Sequence, residues 1–153
     1  MILSVTPSPA ASGQVQTVLG PVAPRSLGRT SMHEHLLASL DCYFSVPDEA
    51  SERSYIDRPM SIDLLGGLPG RWSHHRDSMN LIDETVTIEE AMEWRLEGGG
   101  TIVDATSLGI ARDPLALARI SRATGLNVVM GAGYYVPTSH PDDMDRISED
   151  EIT

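Results

Sequence analysis

Two short apolar runs separated by a helical pattern constrain the fold of this chain more than any other feature. "TIVDAT" (residues 101–106) and "NVVMGAG" (127–133) are almost continuously apolar and rich in β-branched residues, which is typical of strands covered on both faces. Between them, "RDPLALARISRATG" (112–125) offers Asp113 as a helix N-cap, a proline in the first turn and Gly125 at the end. Strands that alternate with helices of this length predict an α/β fold with a parallel sheet.

A second helix is predicted just before the first of these runs. "TIEEAMEWRLEGGG" (87–100) has apolar residues at helical spacing, and its three glycines are a stop signal. We expect Thr87 to be the N-cap of this helix. The residues predicted to form its apolar face are Ile88, Met92 (or Ala91) and Leu96.

The N-terminal half of the chain is less regular. "TVLGPV" (17–22) predicts a small hairpin, and "RTSMHEH" (29–35) predicts the first strand of the sheet. Residues 38–84 have no strong period and predict a long loop, which inside a compact domain is uncommon and usually functional. We interpret residues 1–14 as a flexible leader and the acidic tail 142–153 as the beginning of another helix.

Charge and composition exclude several classes of function. Twenty-two acidic residues against eleven basic ones give a net charge of −11, which argues against a nucleic-acid-binding surface. No apolar run approaches the roughly 20 residues that a membrane-spanning helix needs. The single cysteine, Cys42, excludes an internal disulfide and favours a cytoplasmic location.

The first predicted strand carries the most suggestive chemistry, because His33 and His35 are separated by one residue. Side chains alternate along a strand, so both imidazoles would lie on one side, roughly 6.6 Å apart at ~3.3 Å per residue, with Glu34 on the other side. Two such rings can bind one metal ion, or they can simply donate hydrogen bonds. Their position at the carboxyl end of a parallel strand, where α/β proteins build active sites, favours the metal.

Other polar residues are weaker candidates. His74 and His75 are adjacent, and we interpret them as a solvated pair in the long loop. Asp104 is expected to be a satisfied interior carboxylate rather than an acid or base, and His140 could line a pocket rim or fix a turn. Two aromatic residues are predicted to end the third strand, one of them facing a pocket, where it would pack or contact substrate: Tyr134 and Tyr135.

Several blocks of the sequence together resemble a known family. "QTVLGPV…LGRTSMHEHLL", "GGGTIVDATSLGIARDPLALARISRATGLNVVMGAGYY" and then "HP" are similar to the phosphotriesterase family of the amidohydrolase superfamily. Within it, the phosphotriesterase-related, resiniferatoxin-binding branch is the most similar. The resemblance runs from about residue 15 to the end, with the blocks in the same order.

The resemblance implies a fold, a chemistry and three site residues. The family forms a (β/α)8 barrel and binds two divalent metals, commonly zinc. It hydrolyses phosphotriesters, lactones or related small-molecule esters by a metal-bridging hydroxide. His33 and His35 match the metal-binding pair of its first strand, and Tyr135 matches an aromatic position beside its substrate pocket. A homodimer is left open for the complete protein.

The extent of the chain limits what it would do alone. The family's other ligands are a carboxylated lysine on strand four, histidines on strands five and six and an aspartate on strand eight, but all eleven basic residues here are arginines. A (β/α)8 barrel also takes roughly 250 residues. We therefore expect residues 15–153 to form the N-terminal part of an incomplete barrel, about its first three βα units, with no catalytic residue of its own and no activity alone. The remainder would be missing or on another polypeptide.

Two alternatives to a hydrolase remain open. One is a binding protein on the same scaffold that recognises a hydrophobic ester without turnover, consistent with the aromatic residues of the 38–84 loop. The other is a non-functional truncation.

Overall fold

The structure is a computed structural model that describes residues 13–152, so most of the predicted leader (1–14) lies outside the described residues. Within them, none of the helices combines the length and the apolar character that crossing a membrane requires. The residues form two compact units, here called the sheet unit and the loop unit. The sheet unit comprises residues 13–36, 83–105 and 113–131, and the loop unit comprises 37–82, 106–112 and 132–152.

The described strands and α-helices include the predicted alternation of strand and helix, together with short elements in the 38–84 segment that the sequence pattern does not predict. In chain order they are β1 (Val15–Thr17), β2 (Gly20–Val22), β3 (Arg29–Glu34), β4 (Ala38–Ser39), α1 (Ala50–Arg53), β5 (Asn80–Leu81), α2 (Glu84–Leu96), β6 (Gly99–Asp104), α3 (Pro114–Thr124), β7 (Asn127–Met130) and α4 (Glu149–Ile152).

A three-stranded parallel sheet in the order β3-β6-β7 forms the centre of the sheet unit. Ile102 of β6 and Val128 of β7 are almost completely buried, as are Leu117 and Ile120 of α3. Burial of these branched side chains stabilises the unit through the hydrophobic effect. The predicted α/β class and parallel sheet are confirmed, and the sheet is not a closed barrel.

Helix α3 begins and ends where the sequence predicts. The Asp113 carboxylate accepts hydrogen bonds from the backbone N–H groups of Leu115 and Ala116, and so caps the helix. Gly125 terminates it with a φ of 71°, in the left-handed region that favours glycine.

Helix α2 begins earlier than predicted. Asp83, not Thr87, is the N-cap, and its carboxylate accepts from the backbone N–H groups of Thr85 and Val86. The Thr87 hydroxyl instead contacts the carbonyl oxygen of Leu36 at 2.9 Å. The predicted apolar face is also partly wrong, because Leu96 is 71 % exposed while Ala91 is buried.

The three glycines after α2 do more than stop the helix. Gly98 has a φ of 85°, but Gly100 already lies within β6. A Cβ atom at Gly100 would clash with the carbonyl oxygen of Leu27, which is backbone and cannot rotate away. The glycine therefore permits a close approach between β6 and the segment that leads into β3.

The predicted hairpin is present as the antiparallel pair β1-β2. It is attached to the sheet by a hydrogen bond of 2.9 Å from the Val18 N–H to the Val128 carbonyl oxygen of β7.

The long predicted loop has more structure than the sequence pattern suggests. Strands β4 and β5 pair antiparallel and close it at its base. Between them lie the short helix α1 and several 3-10 turns. The sequence pattern does not predict strand pairs of this kind, because a strand of two residues is too short to show a periodic pattern of apolar residues.

The third sheet strand is shorter than expected. It ends at Met130, so Tyr134 and Tyr135 lie beyond it rather than at its end. Tyr134 forms an isolated parallel bridge with Leu108 in the loop unit. The acidic tail does enter a helix, α4.

Candidate functional site

The carboxyl end of β3 is irregular. Ser31 lies opposite Ile102 and Glu34 opposite Asp104, so β3 contains one more residue than β6 over this interval. The Ser31 hydroxyl donates a hydrogen bond to the Glu34 carboxylate across the extra residue. Such β-bulges bend a strand and re-aim its side chains, and they are frequent next to active sites.

The two histidines of interest lie at this bulge and directly after it. Their ring centroids are 5.6 Å apart and their planes are inclined by 72°. Both side chains are exposed. Metal–nitrogen bonds are about 2.0–2.1 Å long for zinc, so rings with centroids 5.6 Å apart can both reach one ion between them. The donor set of His33 and His35 therefore fits one divalent metal with open coordination positions.

Leu36, the residue after this pair, is held in place by hydrogen bonds to both its backbone N–H and its carbonyl group. The N–H of Leu36 donates to the Asp104 carboxylate at 2.8 Å, and the carbonyl oxygen of Leu36 accepts from the Thr87 hydroxyl at 2.9 Å. Asp104 is fully buried, which agrees with its expected role as a satisfied interior carboxylate. Because Leu36 follows His35 directly, Asp104 and Thr87 restrict where that imidazole can lie.

The sheet unit offers no complete metal site. Among residues 13–152, no group of three or more histidine, cysteine, aspartate or glutamate side chains could bind a metal ion. His33 and His35 therefore belong to no larger group of this kind among these residues, and metal binding by the pair stays a prediction.

Tyr135 belongs to an aromatic cluster in the loop unit. Its ring contacts that of Tyr43 edge to face, with centroids 6.0 Å apart, and Tyr43 contacts Trp72 in the same way at 5.6 Å. Tyr135 and Trp72 are each 40 % exposed, so the cluster presents aromatic surface to solvent. Two effects raise the pKa of the Tyr43 phenol above its ordinary value: mainly a hydrogen bond with Tyr135 and, to a lesser extent, burial. The phenol therefore stays protonated.

The remaining histidines differ from expectation in one respect. His75 is only 5 % exposed, so the predicted solvated pair is wrong for it, while His74 bonds Ser45 through its Nδ1. His140 fixes a turn, because its Nε2 contacts the Tyr135 carbonyl oxygen at 3.3 Å and its ring packs on Tyr134.

Comparison with known proteins identifies the family. A model of the phosphotriesterase family matches residues 13–149. An N-acetyltaurine hydrolase of Tetraodon nigroviridis is 37 % identical over 143 residues, which are 93 % of this chain and 41 % of that protein.

Solved structures agree with this match. A resiniferatoxin-binding protein from Rhodobacter sphaeroides superposes with a TM-score of 0.86 at 40 % identity, over 94 % of this chain and 40 % of that one. A lactonase from Listeria monocytogenes gives a TM-score of 0.55 at 26 % identity, over 88 % of this chain and 33 % of that one.

The chain spans about two fifths of the length of the curated relatives it matches. Its α/β fold, with a parallel sheet and no closed barrel, corresponds to part of the barrel of these structural neighbours. The family match covers nearly all of the described residues. The chain belongs to the phosphotriesterase family.

Proposed function

We propose that this chain contributes the first metal-binding pair of a metal-dependent hydrolase, with His33 and His35 binding one divalent ion, zinc in the first instance. The observation that carries the proposal is the exposed imidazole pair, with ring centroids 5.6 Å apart, at the end of the first strand of a parallel sheet. The names of the relatives, which include hydrolases of two kinds, support the same class of reaction.

The chain's own residues would bind and orient the metal. A bound divalent ion lowers the pKa of a coordinated water towards neutrality and polarises a carbonyl or phosphoryl oxygen. His33 and His35 supply neutral nitrogen ligands, and Asp104 and Thr87 hold the backbone at Leu36 so that His35 stays beside His33. The ligands still needed would come from outside these residues, so the 153-residue chain alone is expected to be inactive.

The substrate we propose is a small molecule with a hydrolysable ester or amide bond. Phosphotriesters, lactones and related esters are the class implied by the family resemblance, and the lactonase among the similar structures supports it. The curated relatives add an N-acyl amide, since they are N-acetyltaurine hydrolases. Tyr135 would contribute an aromatic contact to the substrate, because 40 % of its surface is exposed.

Replacement of both histidines by asparagine tests the proposal. The protein expressed from its complete gene is assayed for bound metal and for turnover of N-acetyltaurine, a lactone and a phosphotriester. We expect the wild type to bind a divalent metal and to hydrolyse at least one of these, and the double variant to lose about 10²-fold or more of that activity together with metal. Met32→Leu is the matched control, because it changes β3 beside the pair and leaves both imidazoles in place.

Unchanged metal content and turnover in the double variant would refute the assignment. A second candidate is a binding protein without turnover, favoured by the description of the Rhodobacter sphaeroides structure as a resiniferatoxin-binding protein. Metal binding with no hydrolysis of any substrate class, together with saturable binding of a hydrophobic ester, would favour that candidate.

A further inference from the structure

The extra residue of β3 decides where His33 lies relative to the sheet. Ser31 pairs with Ile102, and Glu34 pairs with Asp104. Two residues of β3, the second of them His33, therefore lie opposite one residue of β6. In a regular ladder that continued from Ser31, His33 itself would pair with Asp104, whose side chain is fully buried. The extra residue puts Glu34 in that position instead, and His33 is exposed.

The backbone that follows the bulge is held by contacts with β6. The carbonyl oxygen of Glu34 accepts a hydrogen bond of 2.7 Å from the N–H of Ala105, and the N–H of Leu36 donates to the Asp104 carboxylate. His35 lies between these two contacts, so its backbone is restricted on both sides. His33 comes before them, within the bulge, and its position therefore depends on what holds the bulge itself.

One side-chain contact spans the bulge. The Ser31 hydroxyl donates a hydrogen bond to the Glu34 carboxylate. Residues three apart in a regular strand point to opposite faces, so this bond forms only because the extra residue brings the two side chains to the same side. Hydrogen bonds to ionised groups are stronger than those between neutral groups. The bond and the bulge therefore stabilise each other.

We propose that Ser31 is a positioning residue of the metal site, which holds the bulge through its bond to Glu34 and thereby holds His33 beside His35. The inference rests on the proposed function, because it requires that the imidazole pair binds the ion. Ser31 itself does not bind the metal. It reduces the conformational freedom that His33 loses on binding, and this loss is one of the costs of association. Leu36 acts in the same way on His35 from the other side.

Zinc affinity tests this proposal. The protein from the complete gene is stripped of metal and titrated with Zn²⁺ in competition with a chromophoric chelator. We expect Ser31→Ala to weaken zinc binding by about threefold or more, because contacts that orient metal ligands contribute to affinity. Ser31→Thr keeps the hydroxyl and should bind zinc within about twofold of wild type.

Thr30→Val is the matched control for loss of a hydroxyl from β3. The Thr30 hydroxyl donates to the carbonyl oxygen of Gly28, upstream of the bulge, and valine keeps the shape of the side chain. This variant should bind zinc as wild type does. Equal weakening by Thr30→Val and Ser31→Ala would mean that general destabilisation of the strand, not the bond across the bulge, lowers the affinity, and would overturn the proposal.

A second measurement needs no metal. Imidazoles with centroids 5.6 Å apart have ring protons close enough for a nuclear Overhauser effect, which is observed in metal-free protein with labelled histidine. We expect a cross-peak between His33 and His35 in wild type, Ser31→Thr and Thr30→Val, and a weaker one in Ser31→Ala. An unchanged cross-peak in Ser31→Ala would show that Ser31 does not position the ring.

The His33→Asn/His35→Asn double variant separates failure of this inference from failure of the proposed function. If the double variant keeps its zinc, the proposed function is refuted and the inference with it. If the double variant loses zinc while Ser31→Ala binds it as tightly as wild type, only the role of Ser31 is refuted.

Discussion

Leu36 shows, at the scale of single residues, how the candidate metal ligands are held. Its N–H and carbonyl groups bond to side chains from two other elements, Asp104 of β6 and Thr87 of α2. The chain directly after His35 is thus fixed by residues distant in sequence. A histidine pair on an exposed strand end would otherwise lose conformational freedom when it binds an ion, and restraint before binding reduces that cost.

Substitution of Asp104 should reveal this restraint. Asp104→Ala leaves the N–H of Leu36 without its acceptor inside the unit, and we expect it to lower the free energy of unfolding by about 1–3 kcal/mol. Asp104→Asn keeps an oxygen that can accept this hydrogen bond, so it should lower the free energy of unfolding by less. Urea denaturation of the protein from the complete gene provides the measurement.

Asp142→Ala serves as the control, because Asp142 is exposed and such substitutions usually stay within about 0.5 kcal/mol of wild type. Equal stability of Asp104→Ala and this control would mean that the Leu36 contact contributes nothing.

The residues of the candidate site differ in how far the sequence could predict them. The proximity of His33 and His35 follows from the alternation of side chains along a strand, which is a local rule. The contacts of Tyr43 with Trp72 and Tyr135 follow from no local rule, because the three residues are far apart along the chain. The burial of the His75 side chain could not be predicted from the sequence pattern either, because it arises from the path of an irregular segment.

An ion pair between Arg119 and Glu84 joins helices α2 and α3 in the sheet unit. The Arg119 guanidinium donates to both oxygens of Glu84, at 2.9, 3.1 and 2.7 Å. The hydrogen bond from Arg119 holds the pKa of the Glu84 carboxyl below its ordinary value of 4.5. Because the folded-state pKa is the lower one, the stabilisation is present above pH 4.5 and is lost as the pH falls through the folded pKa.

We expect Glu84→Gln to reduce the acid sensitivity of the fold. Glutamine does not titrate, so the variant should be less stable than wild type near neutrality, and the difference should shrink at an acidic pH below the lowered pKa of the wild-type carboxyl. The effect should be small, since both side chains are partly exposed. Urea midpoints at the two pH values measure it.

Glu89→Gln, an exposed position on the same helix, controls for the general loss of one acidic charge. A difference between Glu84→Gln and wild type that does not change with pH would contradict the assignment of the pair.

The two helices also show why some element boundaries were predictable and others were not. α3 is delimited by one cap on each side, Asp113 and Gly125, and no competing signal lies nearby. At the start of α2 two residues could serve as the N-cap. Asp83 does so, because its carboxylate accepts hydrogen bonds from two backbone N–H groups, while the Thr87 hydroxyl donates to the carbonyl oxygen of Leu36. That choice depends on a tertiary contact, which a local pattern does not contain.

At the scale of the whole molecule, the open edges of the parallel sheet are the dominant feature. Among the described residues, β3 and β7 each pair with β6 alone, so each has one edge without a parallel partner strand. The hairpin β1-β2 contacts β7 through the hydrogen bond from the Val18 N–H, so β3 has the more open edge. Unpaired N–H and C=O groups on such edges can pair with another chain. The fold class was predictable from the alternation of strands and helices, whereas the partners of these two edges are not contained in that local pattern.

Residues 1–153 expressed alone should therefore self-associate. We expect size-exclusion chromatography to show species larger than a monomer that grow with concentration, and we expect no turnover of the ester or amide substrates. The protein from the complete gene is the control and should elute as one defined species. A soluble monomer of the short chain with a cooperative thermal transition would contradict this expectation.

The bulge in β3 has a consequence for how this region can change by mutation. Between Ser31 and Glu34 the strand has one residue more than its neighbour. Loss of Glu34 would make the two histidines adjacent, and adjacent residues of a strand point to opposite faces of the sheet. Point substitutions around the pair leave its spacing along the chain intact, so insertions and deletions, rather than changes of side chain, are the events that would place His33 and His35 on opposite faces.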